Sequence, residues 1–356
     1  MTKVDPFPPS EPLPDELDTP RLRRRLAQVI ALLAVLGLVA WLAPGLGEVR
    51  ARLAEARPEW LALAVVLEVL SCLSYVLMFK PVFCTRMTWR TSYELGMSEL
   101  AVGSLVPASG AGGLAFGAWA LRKGGMAVAD IARRSVAFFV IKSAVNFVAV
   151  AVLGVVMWLG VGPEVSPLLT VLPAALAVVA IAAVALIPWL AGRRTMRDRD
   201  ESGRWRRWLD AAVLALDGGV REAGRVVYRH DWRVIAGSVG YWAFDNAVLW
   251  ACFHAFGESP PLTLVLMGYL IGQLGGLLPL PGGVGGIDGG LIGALIVFGL
   301  PAAATVAAVF AYRLILFWIP LLLGAAAFAG LRKGLNHPDR PDLCDPFAGV
   351  RRPART

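Results

Sequence analysis

Residues Pro279-Leu280-Pro281-Gly282-Gly283-Val284-Gly285-Gly286 interrupt an apolar run that extends from 262 to 299. They split it into two arms of roughly 10–17 residues, whereas a helix needs about 20 residues to cross ~30 Å of hydrocarbon. Neither arm crosses a bilayer alone. Two short helical arms joined by glycine and proline suit a re-entrant hairpin, because irregular backbone is tolerated at membrane depth only when protein surrounds it. A second such place lies at 93–121, where Pro107-Ala108-Ser109-Gly110-Ala111-Gly112-Gly113 breaks the apolar pattern.

Six uninterrupted apolar runs surround these two segments, at 27–44, 59–79, 135–160, 167–190, 234–256 and 303–331. Hydrophobic residues make up 57% of the chain and charged residues 17%, against about 25% charged in an average soluble domain. The bilayer is the solvent that such a chain fits. The expected fold class is therefore all-α: a polytopic membrane protein of six full spans plus two re-entrant hairpins. Residues 1–26 read as a disordered cytoplasmic tail, 27–333 as the membrane domain and 334–356 as a second tail. Within the domain, 192–232 reads as a basic amphipathic linker whose apolar spacing suits an anionic leaflet. A solvated linker helix is the other reading of that stretch.

Lys and Arg outnumber Asp and Glu, with a net charge of +8. The arginines sit in short segments flanking apolar runs, the pattern that orients membrane proteins. The charge therefore points to anionic membrane lipids as partners and away from nucleic acid. Lys80, Arg86, Arg90, Arg122, Lys123, Arg133, Arg134, Arg193–Arg207, Arg332 and Lys333 fall on one side if both broken segments return to the side they entered. Both termini are then cytoplasmic, in a cytoplasmic (inner) membrane. The same count makes span–hairpin–span recur with opposite polarity, an inverted repeat of the kind transporters use. If both glycine clusters are instead external loops, several arginines are stranded on the wrong side.

The last third of the chain resembles a known family. Pro279 through Asp288, then Gly299-Leu300-Pro301, then Tyr312-Arg313-Leu314-Ile315-Leu316-Phe317-Trp318-Ile319-Pro320 are similar to the signature of the lysylphosphatidylglycerol synthase transmembrane-region, or flippase-like, family. Pro107–Leu121 is similar to its first glycine-rich element. Asp288 stands where the family usually has glutamate, and Ala115-Phe116-Gly117 where it usually has an arginine nearby. Ile141-Lys142 stand where Glu-Arg is frequent. The resemblance implies lipid translocation between leaflets. It does not extend to the cytosolic aminoacyl-transfer domain of the bifunctional members.

Ionisable residues inside apolar runs cost roughly 2.5–3.5 kcal/mol each at mid-helix, so the few present point to function. They are Glu68, Glu99, Lys142, Asp245, Asp288 and Arg313. Arg313 is the leading candidate for a lipid phosphodiester, because a guanidinium stays charged and forks onto phosphate. The other reading is a structural ion pair with Asp288 or Asp245. Gly282, Gly283, Gly285 and Gly286, with Pro279 and Pro281, form a turn opening onto a helix at 287–299, a potential anion site. Gly110, Gly112 and Gly113 are the counterpart, with close helix packing as the alternative. Tyr312, Lys142 with Asn146, and Asp245 with Asn246 complete the candidate head-group set, the last two pairs expected in matching spans. Asp245 or Glu68 is also a candidate for a coupling proton.

The sequence contains no GxxxxGK[ST], HExxH or GxSxG motif, so neither an enzyme nor a cofactor is expected. Cys72, Cys84, Cys252 and Cys344 lack CxxC spacing, and neither a disulfide framework nor a metal site is expected. The rival functional readings are an integral membrane enzyme and a non-catalytic subunit partnering envelope-synthesis proteins.

Overall fold

The computed structural model describes residues 24, 27, 47–105, 111–163, 166–194, 204–229, 231–273, 286–335 and 343–344. The expected first span, 27–44, and the apexes of both glycine clusters lie outside them, apart from Ala27. Every regular element among the described residues is helical. In chain order the helices are α1 Gly47–Ala54, α2 Pro58–Phe83, α3 Trp89–Leu105, α4 Ala111–Lys123, α5 Val128–Trp158, α6 Pro167–Arg194 and α7 Arg204–Tyr228. They are followed by α8 Trp232–Ala255, α9 Leu262–Gln273, α10 Gly286–Val297 and α11 Ala302–Leu335.

Four of these are long and apolar enough to cross a membrane: α2, α5, α11 and the Pro167–Ile187 part of α6. They match the runs expected at 59–79, 135–160, 167–190 and 303–331. The run at 234–256 is α8, 24 residues long. It carries Arg233, Asp245, Asn246 and His254, and Val248, Leu249, Ala251, Cys252 and Phe253 on it are buried. The two broken segments are pairs of short helices, α3 with α4 and α9 with α10, of 17, 13, 12 and 12 residues.

Local chemistry sets several boundaries. Pro58 opens α2 within its first turn, where a missing N–H costs nothing. Asp231 caps α8 by accepting the Arg233 backbone N–H at 3.1 Å. Gly299 ends α10 with φ +90°, a left-handed conformation that favours glycine.

The centre of the molecule is the contact between α2 and α8. A Cβ on Gly237 would lie 2.8 Å from Ser74 O, and one on Gly240 2.7 Å from Ser74 Oγ. Small residues thus let the two backbones approach. Ser71 Oγ donates to Tyr241 O across the seam at 3.2 Å. On one side Tyr75, Phe79, Phe83 and Phe138 form an aromatic cluster. On the other, Leu249, Phe253, Val265, Leu291 and Leu295 pack together.

The helix in the 192–232 linker, α7, packs part of its apolar face on α5. Ala223 and Val226 are buried there, and a Cβ on Gly219 would strike the Val136 side chain. That face is covered by protein and not given over wholly to a lipid surface. The cysteines bring a correction. Cys84, just after α2, is disulfide-bonded to Cys344, and Leu343 N–H donates to Gly124 O at 3.1 Å. The bridge spans 260 residues, a separation that short-range spacing rules cannot detect. Cys72 and Cys252 are free and buried in α2 and α8.

Candidate functional site

The ionisable residues of the spans collect in two clusters on either side of the α2–α8 seam. In the first, Tyr75 of α2 donates to Glu99 Oε1 of α3 at 3.1 Å. Glu99 is 4% exposed, and Lys142 of α5 attracts it across the core. The Lys142 ammonium also lies 5.9 Å from the centre of the Tyr241 ring, within cation–π range. Gly117 makes room for the acid, since a Cβ there would sit 2.7 Å from Glu99 Oε2.

In the second cluster Asp245 of α8 accepts from Tyr269 of α9 at 2.5 Å and from Tyr312 of α11 at 3.0 Å. Next along α11, Arg313 Nε donates to Asp288 Oδ1 at 2.5 Å, and Nη2 closes on the same oxygen. Arg313 also attracts Asp245. Glu68 of α2 is 4% exposed and touches the Cys72 thiol at 3.6 Å. Its Oε2 has no hydrogen-bond partner, and Asp245 is within electrostatic range.

The two clusters are related. Tyr75 and Glu99 are 24 residues apart, as are Asp245 and Tyr269, with acid and tyrosine exchanged. The offset between corresponding positions is 170 residues, the same as between Ser71 and Tyr241, which touch. Lys142 and Tyr312 obey it too. In this register α2–α3–α4–α5 corresponds to α8–α9–α10–α11. The expectation that Lys142 and Asp245 occupy matching spans is thereby corrected: Lys142 matches Tyr312, and Asp245 matches Tyr75.

The other expected residues divide as follows. Arg313, Asp288, Tyr312 and Asp245 come together. Asp288 lies in the first turn of α10, where a carboxylate complements the helix dipole. Gly286 begins that helix. Gly113 is a packing residue, since a Cβ on it would lie 2.6 Å from Glu99 O, and Gly112 is buried beside it. Asn146 sits one turn after Lys142 with its Oδ1 unpartnered, and Asn246 donates to Trp242 O at 2.8 Å. Gly110, Pro279, Pro281, Gly282, Gly283 and Gly285 lie outside the described residues. Sequence reasoning passed over Tyr75 and Tyr269 because tyrosine in an apolar helix raises no flag. Their equal spacing from an acid was the available signal. Among the described residues no group of His, Cys, Asp and Glu is placed to hold a metal.

Long apolar helices around a buried, charge-bearing interior define a multi-pass α-helical membrane protein. The chain belongs to the lysylphosphatidylglycerol synthase TM region family, whose model matches residues 28–324. It is also similar to proteins described as UPF0104 membrane protein from Methanothermobacter thermautotrophicus. One alignment is 27% identical over 331 residues, covering 83% of this chain and 94% of the relative. A shorter one is 40% identical over 91 residues, spanning 25% of this chain and about a quarter, 26%, of the relative's length.

Proposed function

We propose that the protein is a lipid transporter that moves a phosphate-bearing polar lipid between the leaflets of the cytoplasmic membrane. The observation that carries this reading is the partly buried Arg313–Asp288 pair, set beside an Asp245 held by two tyrosine hydroxyls. A guanidinium with donors to spare binds a phosphodiester by two hydrogen bonds, and the Asp288 carboxylate it releases must then take up a proton or meet water. Because Asp288 belongs to α10 and Arg313 to α11, such an exchange loosens a hairpin helix from a span.

The shared register of the two halves supports an inverted repeat with α3–α4 and α9–α10 as re-entrant hairpins. Rocking of one half on the other along α2–α8 then exposes the interior to each leaflet in turn. Both termini lie on the cytoplasmic side in this arrangement. Anionic lipids are the natural partners, and the chain works without a cofactor and without enzymatic chemistry.

Arg313→Ala tests the reading in reconstituted liposomes. The variant is expected to remain folded and monodisperse while leaflet exchange of a fluorescent anionic phospholipid falls to the protein-free rate. Unchanged exchange refutes the transporter reading. Loss of a lipid product in detergent, where leaflets do not exist, supports an enzyme instead.

A further inference from the structure

Glu68 lies near the middle of α2, 4% exposed, with its Oε2 buried and without a hydrogen-bond partner. The other oxygen meets the Cys72 thiol, a weak donor, at 3.6 Å. The exchange of Asp288 for a head group on Arg313 makes no use of this acid. An ionised carboxyl is costly to bury without partners, so the groups that face Glu68 decide its state.

The seam brings a second carboxyl to the same level. α2 and α8 cross antiparallel: a Cβ on Gly237 would lie 2.7 Å from Met78 N, and Tyr241 O takes the Ser71 hydroxyl at 3.2 Å. One turn further along α8 is Asp245, and one turn back along α2 is Glu68; the two carboxyls lie within electrostatic range. Asp245 has both oxygens engaged, Oδ2 by Tyr269 of α9 and Oδ1 by Tyr312 of α11. Arg313 attracts it but is paired with Asp288 of α10. Tyr241 faces both acids from α8 and brings no charge. On α3 and α5, Glu99 and Lys142 attract one another.

A charge count separates the two clusters. Glu99 is matched by Lys142, whereas Glu68, Asp245 and Asp288 share the guanidinium of Arg313. Two carboxylates facing each other in a dry seam cannot both stay ionised, and one proton between them relieves the repulsion. The tyrosine donors favour the charge on Asp245. The proton therefore belongs on Glu68, whose neutral form leaves only an uncharged atom without a partner. A metal cation is the other way to compensate. Hard cations take about six oxygens, and of these two carboxyls only Glu68 Oε2 is unengaged.

We propose that Glu68 and Asp245 form a proton site, with one proton held on Glu68 across the α2–α8 seam, and that an anionic head group on Arg313 binds more tightly when this proton is present. The second clause rests on the transporter reading. A phosphodiester adds negative charge, frees Asp288 from its cation and withdraws the attraction of Arg313 from Asp245. Each change favours the protonated pair, and by linkage the proton favours the head group. The test uses the full chain in a maltoside detergent, which has no ester carbonyl. Infrared difference spectra between neutral and alkaline pH should show loss of a protonated-carboxyl band that shifts in D2O. Glu68→Gln, which keeps the shape of the protonated acid, should lack the band; Glu68→Met serves if the first variant does not fold. No such band in wild type, or the same band in both variants, overturns the proton site. Stabilisation by sodium in place of the band makes it a metal site and overturns the proposal too. Affinity for a short-chain phosphatidylglycerol should fall about tenfold per pH unit once alkali removes the proton, and should stay level in Glu68→Gln. A level wild-type affinity overturns the coupling. Leaflet exchange in liposomes separates the claims. Absent exchange with band and pH-dependent affinity intact refutes transport alone, and exchange without the band refutes the proton site alone.

Discussion

Tyr75 donates its hydroxyl hydrogen to Glu99 in a 3.1 Å hydrogen bond between residues 24 apart, and the other half makes the same bond in reverse, from Tyr269 to Asp245. Removing a hydroxyl leaves a buried carboxylate short of a donor, which costs more than the bond itself contributes, about 1–3 kcal/mol. Tyr75→Phe and Tyr269→Phe should each lower stability by that amount in detergent. Glu99→Leu combined with Tyr75→Phe should cost less than the two single changes summed. Equal unfolding midpoints for wild type and Tyr75→Phe would sink the argument.

Lys142 attracts Glu99 across the core, less strongly than the Tyr75 hydroxyl does. Lys142→Met leaves the Glu99 carboxylate buried without that cation and should cost less than the roughly 3–5 kcal/mol of a broken contacting pair. Adding Glu99→Gln removes the stranded charge and should restore most of the stability. A double-mutant cycle on unfolding free energies measures the coupling, and strict additivity would contradict it.

Most of the architecture was legible because it follows from lengths. Runs near twenty residues became α2, α5, α6 and α11, and runs broken by glycine became pairs of short helices. Arg313 could be singled out because a permanent cation in an apolar run needs a partner, and Asp288 was one of the partners foreseen. Which helix matches which was harder to see. Acid and tyrosine trade places between the halves, so Tyr75 and Asp245 do not look alike until their partners are known. The same holds for Gly113 and Gly117, whose missing side chains leave room for Glu99. The Cys84–Cys344 bridge was invisible because it depends on where residue 344 returns in space.

Reducing that bridge should free Cys344 from the end of α2 and loosen Leu343 from the α4–α5 turn. A disulfide typically contributes about 2–4 kcal/mol. Reductant, or Cys344→Ser, should lower the unfolding temperature and expose the C-terminal residues to limited proteolysis. Wild-type protein with identical cleavage in oxidising and reducing buffer would refute the tether.

Asp231 gives a pH dependence outside the spans. The hydrogen bond from the Arg233 guanidinium holds its carboxyl below the usual carboxylate range. A folded-state pKa below the unfolded one stabilises at neutral pH, and this contribution disappears as the pH falls through the folded-state value. Asp231→Ala should cost about 0.5–2 kcal/mol near pH 7 through loss of the cap, and less in acid. A penalty that grows on acidification would contradict the assignment.

Ser71 and Tyr241 hold the same register position in the two halves, and they touch. A self-contact between equivalent positions is what a two-fold mating surface produces. Under the proposed inverted repeat each half carries an adhesive face for the other, and α7 acts as a leash more than as glue. Severed within 195–203 and co-expressed, the two fragments should find one another and co-purify as a non-covalent pair in reductant, as a gene duplication that fused two once-separate subunits would leave them able to do.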